Sequence, residues 1–299
     1  MANSIQTAIF PAAGLGTRLL PATKAQPKEM LMLVDKPVIQ YGIEETARSG
    51  VNNIVIVTGR DNTIKNHFDL ASGLQQALKK QGKEQLLEEL NHLLGLVKIS
   101  YAQQDEPKGL GHAVLAAQAF TDGEPFAVVL SDDVIDADPP VLKQLIDVYD
   151  RVDGPVVAVE KVPVEEVSKY GIVAIDQAGD LGPGIGRIRT LIEKPSRSNA
   201  PSNLAIIGRY ILTPDIFSAL ESTSSDQNGE VQLTNGLKQV LRERHIYTCE
   251  IKGVRHDTGN KLGFLKAFAY FALQQPDLAA PFRKYLDSLN LDVGARSRR

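Results

Sequence analysis

Residues 5–18 read IQTAIFPAAGLGTR, an apolar run that leads directly into a loop of small and basic residues. The pattern predicts a buried strand from Ile5 to Pro11, followed by a glycine-rich turn. Such a loop exposes backbone N–H groups to an anionic ligand, and glycine adopts backbone angles that a side chain would forbid. The stretch therefore predicts a phosphate-binding loop after the first strand of an α/β sheet.

Two familiar phosphate-binding templates fail on this loop. The dinucleotide fingerprint requires a third glycine three residues after the second, and that position is Leu19. The Walker pattern requires Gly-Lys-Ser/Thr at the end of the loop, which the stretch lacks. The loop therefore indicates nucleotide binding of another kind, with Arg18 and Lys28 available to neutralise phosphates. A tight turn that bears two solvated cations stays open as the alternative.

Predicted strands alternate with helical patterns along the first half of the chain. The further apolar runs are 53–58, 97–101 and 126–130, and the helical patterns are 37–49, 62–94 and 111–120. This alternation is typical of a doubly wound parallel sheet with helices on both faces. After about residue 155 the predicted strands are closer together, at 156–162, 171–176, 187–193 and 205–212. Helical patterns return at 214–221, 233–244, 259–274 and 282–289, and the turn-rich stretch 180–186 predicts a surface loop.

These patterns predict an α/β fold in one domain that spans residues 1–299. Its centre is a Rossmann-like sheet, mixed but mainly parallel and flanked by helices. Residues 1–155 form the first half, 156–265 a β-rich C-terminal portion, and 266–299 the C-terminal helices.

Composition argues against several classes of protein. The formal net charge is −3, and no basic block stands out apart from residues 296–299, so we expect no nucleic-acid partner. The single cysteine, Cys249, predicts a reducing compartment, and its place in the apparent strand 246–251 favours a buried thiol over a nucleophile. No apolar run approaches the ~20 residues that span a bilayer, and the N-terminus lacks a signal-peptide pattern. We therefore expect a cytoplasmic protein with no membrane partner.

Motifs along the chain resemble those of the sugar-phosphate nucleotidyltransferases. The first is the loop 12–18 with Thr23-Lys24 and the PKEM of residues 27–30. The others follow in family order: KGLGHA (108–113), LSDD (130–133), KYG (169–171), IEKP (192–195), GRY (208–210), EVQLT (230–234) and HDTG (256–259). Together they cover residues 8 to about 265, so chance agreement is far less expected than for one loop.

The resemblance is strongest to bacterial members of this family that use UTP and glucose 1-phosphate. It implies a modified Rossmann-like sheet and the formation of UDP-glucose and pyrophosphate with Mg²⁺ as the cofactor. The first half of the domain would then bind mainly the nucleotide, and residues 156–265 mainly the sugar phosphate. Relatives form dimers or tetramers, so the resemblance also implies a homodimer or homotetramer.

The resemblance assigns roles to individual positions. Expected nucleotide-binding residues are Ala12, Ala13, Gly14, Gly16, Thr17, Gln104 and Gly109. Expected sugar-binding residues are Gly171, Glu193, Lys194 and Gly208. The carboxylates expected to bind Mg²⁺ are Asp132 and Asp257. The cations expected to act in catalysis are Arg18 on the β/γ oxygens, Lys28 on the reacting phosphate and Lys194 on the sugar phosphate.

The chemistry of this reaction needs such residues. An ionised oxygen of the sugar phosphate attacks the α-phosphate in line, so cations and preorganised donors are required rather than a strong base. A side-chain amide such as Gln104 can donate and accept at once, which suits the edge of uracil.

Each role has a plainer alternative. Asp132 could form a turn or cap, and Asp257 could cap the following helix. Glu193-Lys194 could be a solvated ion pair, and Gln104 an ordinary loop residue. His112 and His256 lack zinc-site spacing, so they are expected to be structural.

Some features depart from the family pattern or leave alternatives open. An insertion at 179–186 makes the loop over the sugar uncertain, and Asn235 replaces a common Asp. The nucleotide could be dTTP, because a methyl group is worth only ~1–3 kcal/mol of discrimination. A catalytically silent regulatory homologue is disfavoured by the intact Thr17, Arg18 and Lys28. A nicotinamide-dependent dehydrogenase is disfavoured by the missing third glycine.

Overall fold

A computed structural model describes residues 4–69, 72–152, 154–177 and 181–289 of the chain. Its strands are β1 (Thr7–Ala12), β2 (Met32–Leu33), β3 (Lys36–Pro37), β4 (Asn53–Thr58), β5 (Lys98–Gln103), β6 (Phe126–Val129), β7 (Asp133–Asp136), β8 (Val156–Lys161), β9 (Gly171–Gln177), β10 (Ile185–Glu193), β11 (Leu204–Leu212), β12 (Tyr247–Glu250) and β13 (Val254–Asp257). Its α-helices are α1 (Val38–Arg48), α2 (Thr63–Phe68), α3 (Ser72–Lys80), α4 (Glu84–Leu96), α5 (Leu110–Ala116), α6 (Val141–Tyr149), α7 (Asp215–Glu221), α8 (Leu233–Glu243), α9 (Lys261–Ala272) and α10 (Ala279–Ser288).

A nine-stranded sheet crosses the described part of the molecule in the order β5-β4-β1-β6-β11-β8-β12-β10-β9. Strands β5, β4, β1 and β6 are parallel neighbours, so their carboxyl ends meet at one edge. Ile9 and Phe10 of β1 pack into apolar clusters on opposite faces of the sheet, because successive strand side chains alternate. Helices α1 and α6 cover the Phe10 face, and α5, α7 and α8 cover the other. This half has the strand–helix alternation predicted from sequence.

The other half of the sheet corrects the prediction of a mainly parallel sheet. Strand β11 is antiparallel to β6, β8 and β9, and β10 is antiparallel to β9 and β12. Only β8 and β12 pair in parallel there. Antiparallel neighbours can be joined by short connections, whereas parallel neighbours need a crossover, and this part of the chain has closely spaced strands. The described sheet is therefore mixed, with antiparallel pairing at least as common as parallel.

Sequence patterns missed helix α6 and a short ribbon in which β7 pairs with β13. In this ribbon Asp133 lies opposite Asp257. Both strands have four residues and β13 is mostly polar, so neither shows a clear alternation of apolar residues. The ribbon matters because it brings the segments of Asp132 and Asp257 together.

Other details refine or correct the predicted boundaries. The first strand begins at Thr7 and extends to Ala12, which is only 4% exposed. Ile185 and Gly186 belong to β10 rather than to a loop, while positions 179 and 180 lie outside the described residues, as do 290–299. Cys249 is buried in β12, and burial raises the pKa of its thiol to about 11, so the prediction of a buried thiol is confirmed. None of the helices in the described ranges is long and apolar enough to span a bilayer.

Candidate active site

A cleft of about 820 Å³ opens at the carboxyl edge of the parallel strands. All the predicted site residues line this cleft with one exception. The exception is Ala12, which is buried at the end of β1 and does not reach the cleft. The structure therefore brings together positions that lie far apart in the sequence.

The glycine loop is held by contacts with the segment that follows it. Gly16 has a φ of +61°, and a β-carbon there would lie 3.1 Å from Thr23 Cγ2 and 3.3 Å from Lys28 Cβ. The Thr23 hydroxyl donates to the Gly16 carbonyl at 2.8 Å. Both the backbone angle and the close packing favour glycine at this position. Apart from the two adjacent residues, no atom of the described residues lies within 4 Å of the corresponding point on Gly14, so the loop has open space there.

Lys28 and Asp132 form an ion pair in the cleft. Lys28 Nζ donates to Asp132 Oδ2 at 2.5 Å, and the two side chains remain 25% and 30% exposed. Burial opposes both charges, but the neighbouring carboxylates outweigh it and raise the pKa of Lys28 above its usual value. Burial likewise opposes the Asp132 charge, and Lys28 outweighs it and lowers the pKa of Asp132. Both groups therefore stay charged at neutral pH.

Glu29 is a further cleft residue that sequence reasoning missed. Its side chain is only 2% exposed, and its Oε1 lies 3.9 Å from Lys28 Nζ. Burial raises the pKa of the Glu29 carboxyl to about 7. Its Oε2 has no hydrogen-bond partner within the described ranges. The motif around it gave no signal for this, because a Glu beside a Lys usually indicates an exposed pair.

Asp132 and Asp257 form a two-carboxylate arrangement around Gly259. A β-carbon on Gly259 would lie 3.1 Å from Asp132 Oδ2 and 3.0 Å from Asp257 Oδ1, so glycine keeps the space between them open. Thr258 holds the Asp132 carbonyl through its N–H at 2.7 Å and its hydroxyl at 2.9 Å. Asn260, rather than Asp257, caps α9, because its side chain accepts from Gly263 N at 2.9 Å. The capping alternative for Asp257 is therefore wrong.

These two carboxylates fit the donor set that Mg²⁺ takes in nucleotide sites. Mg²⁺ usually binds one or two carboxylates and completes its coordination with phosphate oxygens and water. Among the described residues, no group of three or more His, Cys, Asp or Glu side chains is placed to hold a metal. The arrangement therefore suits a metal that arrives with a phosphorylated ligand.

Asp133 also lines the cleft, but both of its carboxylate oxygens accept hydrogen bonds from the protein. Its Oδ1 accepts from Arg255 Nη1 at 2.6 Å and its Oδ2 accepts from Gly208 N at 2.9 Å. Burial raises the pKa of Asp133 despite the arginine. A β-carbon on Gly208 would lie 2.7 Å from Asp133 Oδ2, which explains glycine there. Asp133 therefore lies next to the carboxylate pair without being expected to bind the metal. Arg255, its partner, is another residue that sequence reasoning missed.

Glu193 and Lys194 form the opposite wall of the cleft. Lys194 has a φ of +43° and its N–H donates to the Tyr170 carbonyl at 2.9 Å. In a regular strand these two side chains would face opposite sides of the sheet, and the left-handed turn lets both line the cleft. Glu193 Oε2 accepts from the Thr234 hydroxyl at 2.7 Å, and its Oε1 lies 3.1 Å from Lys194 Nζ. A β-carbon on Gly171 would lie 3.3 Å from Glu193 Oε2, so glycine leaves room for this carboxylate.

Gln104 lines the cleft and is 5% exposed. Its Nε2 lies 2.8 Å from His112 Nδ1 and 3.3 Å from the Gly109 carbonyl. The amide nitrogen therefore contacts two protein atoms, and the expected role of Gln104 at the base stays a prediction. The contacts also exclude the reading of Gln104 as an ordinary loop residue.

Comparison with known proteins places the chain in a class. The family described as nucleotidyl transferase matches residues 7–274, and the chain belongs to that family. A UTP–glucose-1-phosphate uridylyltransferase of Bacillus subtilis is 46% identical over 290 residues, which are 97% of each chain.

Solved structures agree with this assignment. A UDP-glucose pyrophosphorylase complexed with UDP-glucose has a TM-score of 0.82 and 40% identity, covering 91% of this chain and all of that one. A UTP-bound UGPase from Acinetobacter baumannii has a TM-score of 0.87 and 34% identity, covering 96% of this chain and all of that one. The predicted α/β nucleotidyltransferase fold and the family resemblance are confirmed.

Proposed function

We propose that the chain is a UTP–glucose-1-phosphate uridylyltransferase, which forms UDP-glucose and pyrophosphate from UTP and glucose 1-phosphate. The main support for this function is that one cleft is lined by Lys28, Asp132 and Asp257. The glycine loop and the Glu193-Lys194 pair line the same cleft. Relatives with this name match nearly the whole chain, which supports the choice of nucleotide and sugar.

The residues of the cleft suit an in-line displacement. The glycine loop would bind the triphosphate, with Arg18 on its β and γ oxygens and Lys28 on the α-phosphate. Lys194 would hold the phosphate of the sugar, so that its ionised oxygen faces the α-phosphate. Fixed cations then stabilise the charge that develops on the departing pyrophosphate, and no side chain has to act as a nucleophile or strong base.

Asp132 and Asp257 would hold Mg²⁺, which when bound supplies positive charge against the phosphate oxygens. In the described structure Asp132 instead accepts from Lys28. Lys28 would then leave Asp132 for the α-phosphate when the nucleotide and its metal bind. Glu193 and Gly171 would bind the sugar hydroxyls.

A pyrophosphate-release assay with UTP or dTTP against several sugar 1-phosphates tests this function. We expect release from UTP only when glucose 1-phosphate and Mg²⁺ are both present, and loss of release on chelation. Faster release from dTTP would assign a thymidylyltransferase instead. No release with any sugar phosphate would favour the silent regulatory homologue, which the complete set of cations and carboxylates in the cleft disfavours.

Other predictions from the sequence accompany this proposal. Three of them stay predictions: the division of the domain into halves at residues 1–155 and 156–265, the homodimer or homotetramer, and the cytoplasmic location. Sedimentation at several protein concentrations would measure the oligomeric state.

A further inference from the structure

The hydrogen bond between Gln104 and His112 limits what the cleft offers to a base. The amide nitrogen of Gln104 lies between two protein atoms, the Gly109 carbonyl and His112 Nδ1. Its oxygen has no hydrogen-bond partner among the described residues, and the side chain lines the cleft. The oxygen is therefore the polar atom of this amide that remains for a ligand.

The Gly109 carbonyl decides which way the amide is oriented. A carbonyl oxygen only accepts, so the NH₂ end of Gln104 must face it. The same NH₂ then donates to His112 Nδ1, which must carry a lone pair rather than a proton. A neutral imidazole with a free Nδ1 has its proton on Nε2. One carbonyl thereby fixes both the amide orientation and the histidine tautomer.

The Gly109 carbonyl is itself held in place by the backbone. Gly109 has a φ of +93°, and a β-carbon there would lie 2.9 Å from the Val231 carbonyl oxygen. Gly111 N donates to that Val231 carbonyl at 2.8 Å, and Val231 N donates to the Lys108 carbonyl at 2.8 Å. The backbone of Gln104 is anchored as well, through its N–H to the Thr58 carbonyl at 2.9 Å. Backbone hydrogen bonds therefore hold both the segment around Gly109 and the backbone of Gln104 in place.

We propose that His112 is a positioning residue that sets the choice of nucleobase. The Gly109 carbonyl selects the amide orientation, and the shorter contact with His112, 2.8 Å against 3.3 Å, adds the second hydrogen bond that holds the amide there with its oxygen directed at the base. An oxygen there binds a base with an N–H at its pairing edge, such as N3–H of uracil or thymine. Cytosine presents a lone pair at N3 and is rejected, because two acceptors would face each other. The inference rests on the proposed function for a pyrimidine nucleotide in this cleft.

The tautomer of His112 gives a test that does not depend on turnover. Nitrogen NMR of the whole chain with labelled histidine, at a pH where His112 is neutral, should find the proton on Nε2 and a free Nδ1. A proton on Nδ1 would reverse the amide and overturn the proposal. This result stands whether or not the protein uses UTP.

Variants of His112 test the consequence for specificity. The readout is the ratio of kcat/KM for UTP to kcat/KM for CTP at saturating glucose 1-phosphate. His112→Phe removes the acceptor and should lower this ratio about tenfold, the effect of about one hydrogen bond, with KM for glucose 1-phosphate unchanged. His112→Asn places an oxygen near the position of Nδ1 and should keep the ratio near that of the unsubstituted protein.

A matched control lies outside the cleft. His67 Nε2 lies 3.0 Å from Gln40 Oε1, so His67→Phe removes another histidine–glutamine contact and should leave the ratio unchanged. An unchanged ratio in His112→Phe would overturn the proposal. If that variant does not fold, loss of the preference in His112→Asn would overturn it, and the tautomer decides independently. Failure of the unsubstituted protein to use UTP with glucose 1-phosphate would instead overturn the proposed function.

Discussion

Two ion pairs flank the turn that carries Asp132, and they differ in how completely they are satisfied. On the cleft side, Lys28 and Asp132 keep a quarter or more of their side-chain surface exposed. Behind the turn, Arg209 is fully buried and Glu45 is 4% exposed. Arg209 donates to Glu45 at 2.6 and 3.1 Å, and also to the carbonyls of Leu130 and Asp133 at 3.0 and 2.9 Å.

The difference indicates that the rear pair, Arg209 and Glu45, has a structural role and that the front pair, Lys28 and Asp132, has a role in the reaction. The rear pair has its donors satisfied by protein, and Glu45 Oε1 also accepts from Leu142 N at 3.0 Å. It therefore fixes the backbone on both sides of Asp132. The front pair is partly exposed, so Lys28 can give up Asp132 to bind substrate phosphate, and Asp132 can give up Lys28 to bind a metal. We expect changes to the rear pair to affect mainly stability and changes to the front pair to affect mainly turnover.

The largest effect is expected for Glu45→Gln, which leaves the Arg209 charge buried without its partner. Removing one member of a buried pair typically costs about 3–5 kcal/mol of unfolding free energy. Denaturant unfolding measures this change. Glu44→Gln is the matched control: Glu44 is 32% exposed and pairs with Lys36, so its loss should cost only about 0–1 kcal/mol. Equal costs for the two variants would contradict the role of the rear pair.

Asp132→Asn tests the front pair and should reverse this pattern. We expect turnover to fall about 10²–10³-fold, in line with the loss of one group that acts on transition-state charge, with the fold retained. Pyrophosphate release and thermal unfolding measure the two sides. Asp136→Asn is the control, since Asp136 ends the strand that follows Asp132, accepts from the Tyr270 hydroxyl at 2.8 Å and does not line the cleft. A normal rate for Asp132→Asn would refute its metal and phosphate role.

Glu29 should make the free energy of unfolding depend on pH. Burial raises the pKa of its carboxyl from 4.5 to about 7. Between these values the folded protein keeps a proton that the unfolded chain has lost, so the free energy of unfolding should fall as pH rises. The expected loss is on the order of 3 kcal/mol across this window. Asp132, whose pKa is lowered, stabilises the fold above pH 3.8 and loses this effect only below it.

Glu29→Gln checks this dependence. The amide cannot ionise, so the decline between pH 4.5 and about 7 should flatten, and the variant should be the more stable protein above pH 7. Glu44→Gln, in an exposed pair, should keep the decline. The same slope in Glu29→Gln and the unsubstituted protein would rule out Glu29 as its source.

The smallest effect is expected for Lys194→Ala, because this side chain is nearly half exposed and lies on the wall of the cleft that Glu193 and Lys194 form. Its loss should raise KM for glucose 1-phosphate about tenfold and leave KM for UTP nearly unchanged. Lys161→Ala provides the control, since Lys161 pairs with Glu250 at 3.2 Å outside the cleft. A similar loss of affinity for both substrates would exclude a role specific to the sugar phosphate.

How far the sequence could predict this molecule depends on how local each feature is. Strand β4 was predicted at its observed bounds, because an apolar run between polar residues is a local signal. The β7–β13 ribbon joins two short segments from distant parts of the chain, and neither segment has a clear pattern of its own. The antiparallel pairing of β11 is equally non-local.

The same limit applies to the candidate site. Motifs identified the positions of Lys28, Asp132 and Asp257, and the cleft brings them together. No motif could indicate that Lys28 bonds to Asp132, or that Glu29 is buried beside it. The Arg209–Glu45 pair could not be predicted either, because its two members are distant in sequence and the motif that contains Arg209 does not indicate its partner.

The fate of labelled phosphate in UTP tests the central claim most directly. With glucose 1-phosphate and Mg²⁺ present, label at the α-phosphorus should appear in UDP-glucose, and label at the γ-phosphorus in pyrophosphate. Such a division requires that the bond between the α and β phosphates is the one that breaks. Release of the γ label as orthophosphate, or no transfer of the α label to the sugar, would contradict uridylyl transfer in this cleft.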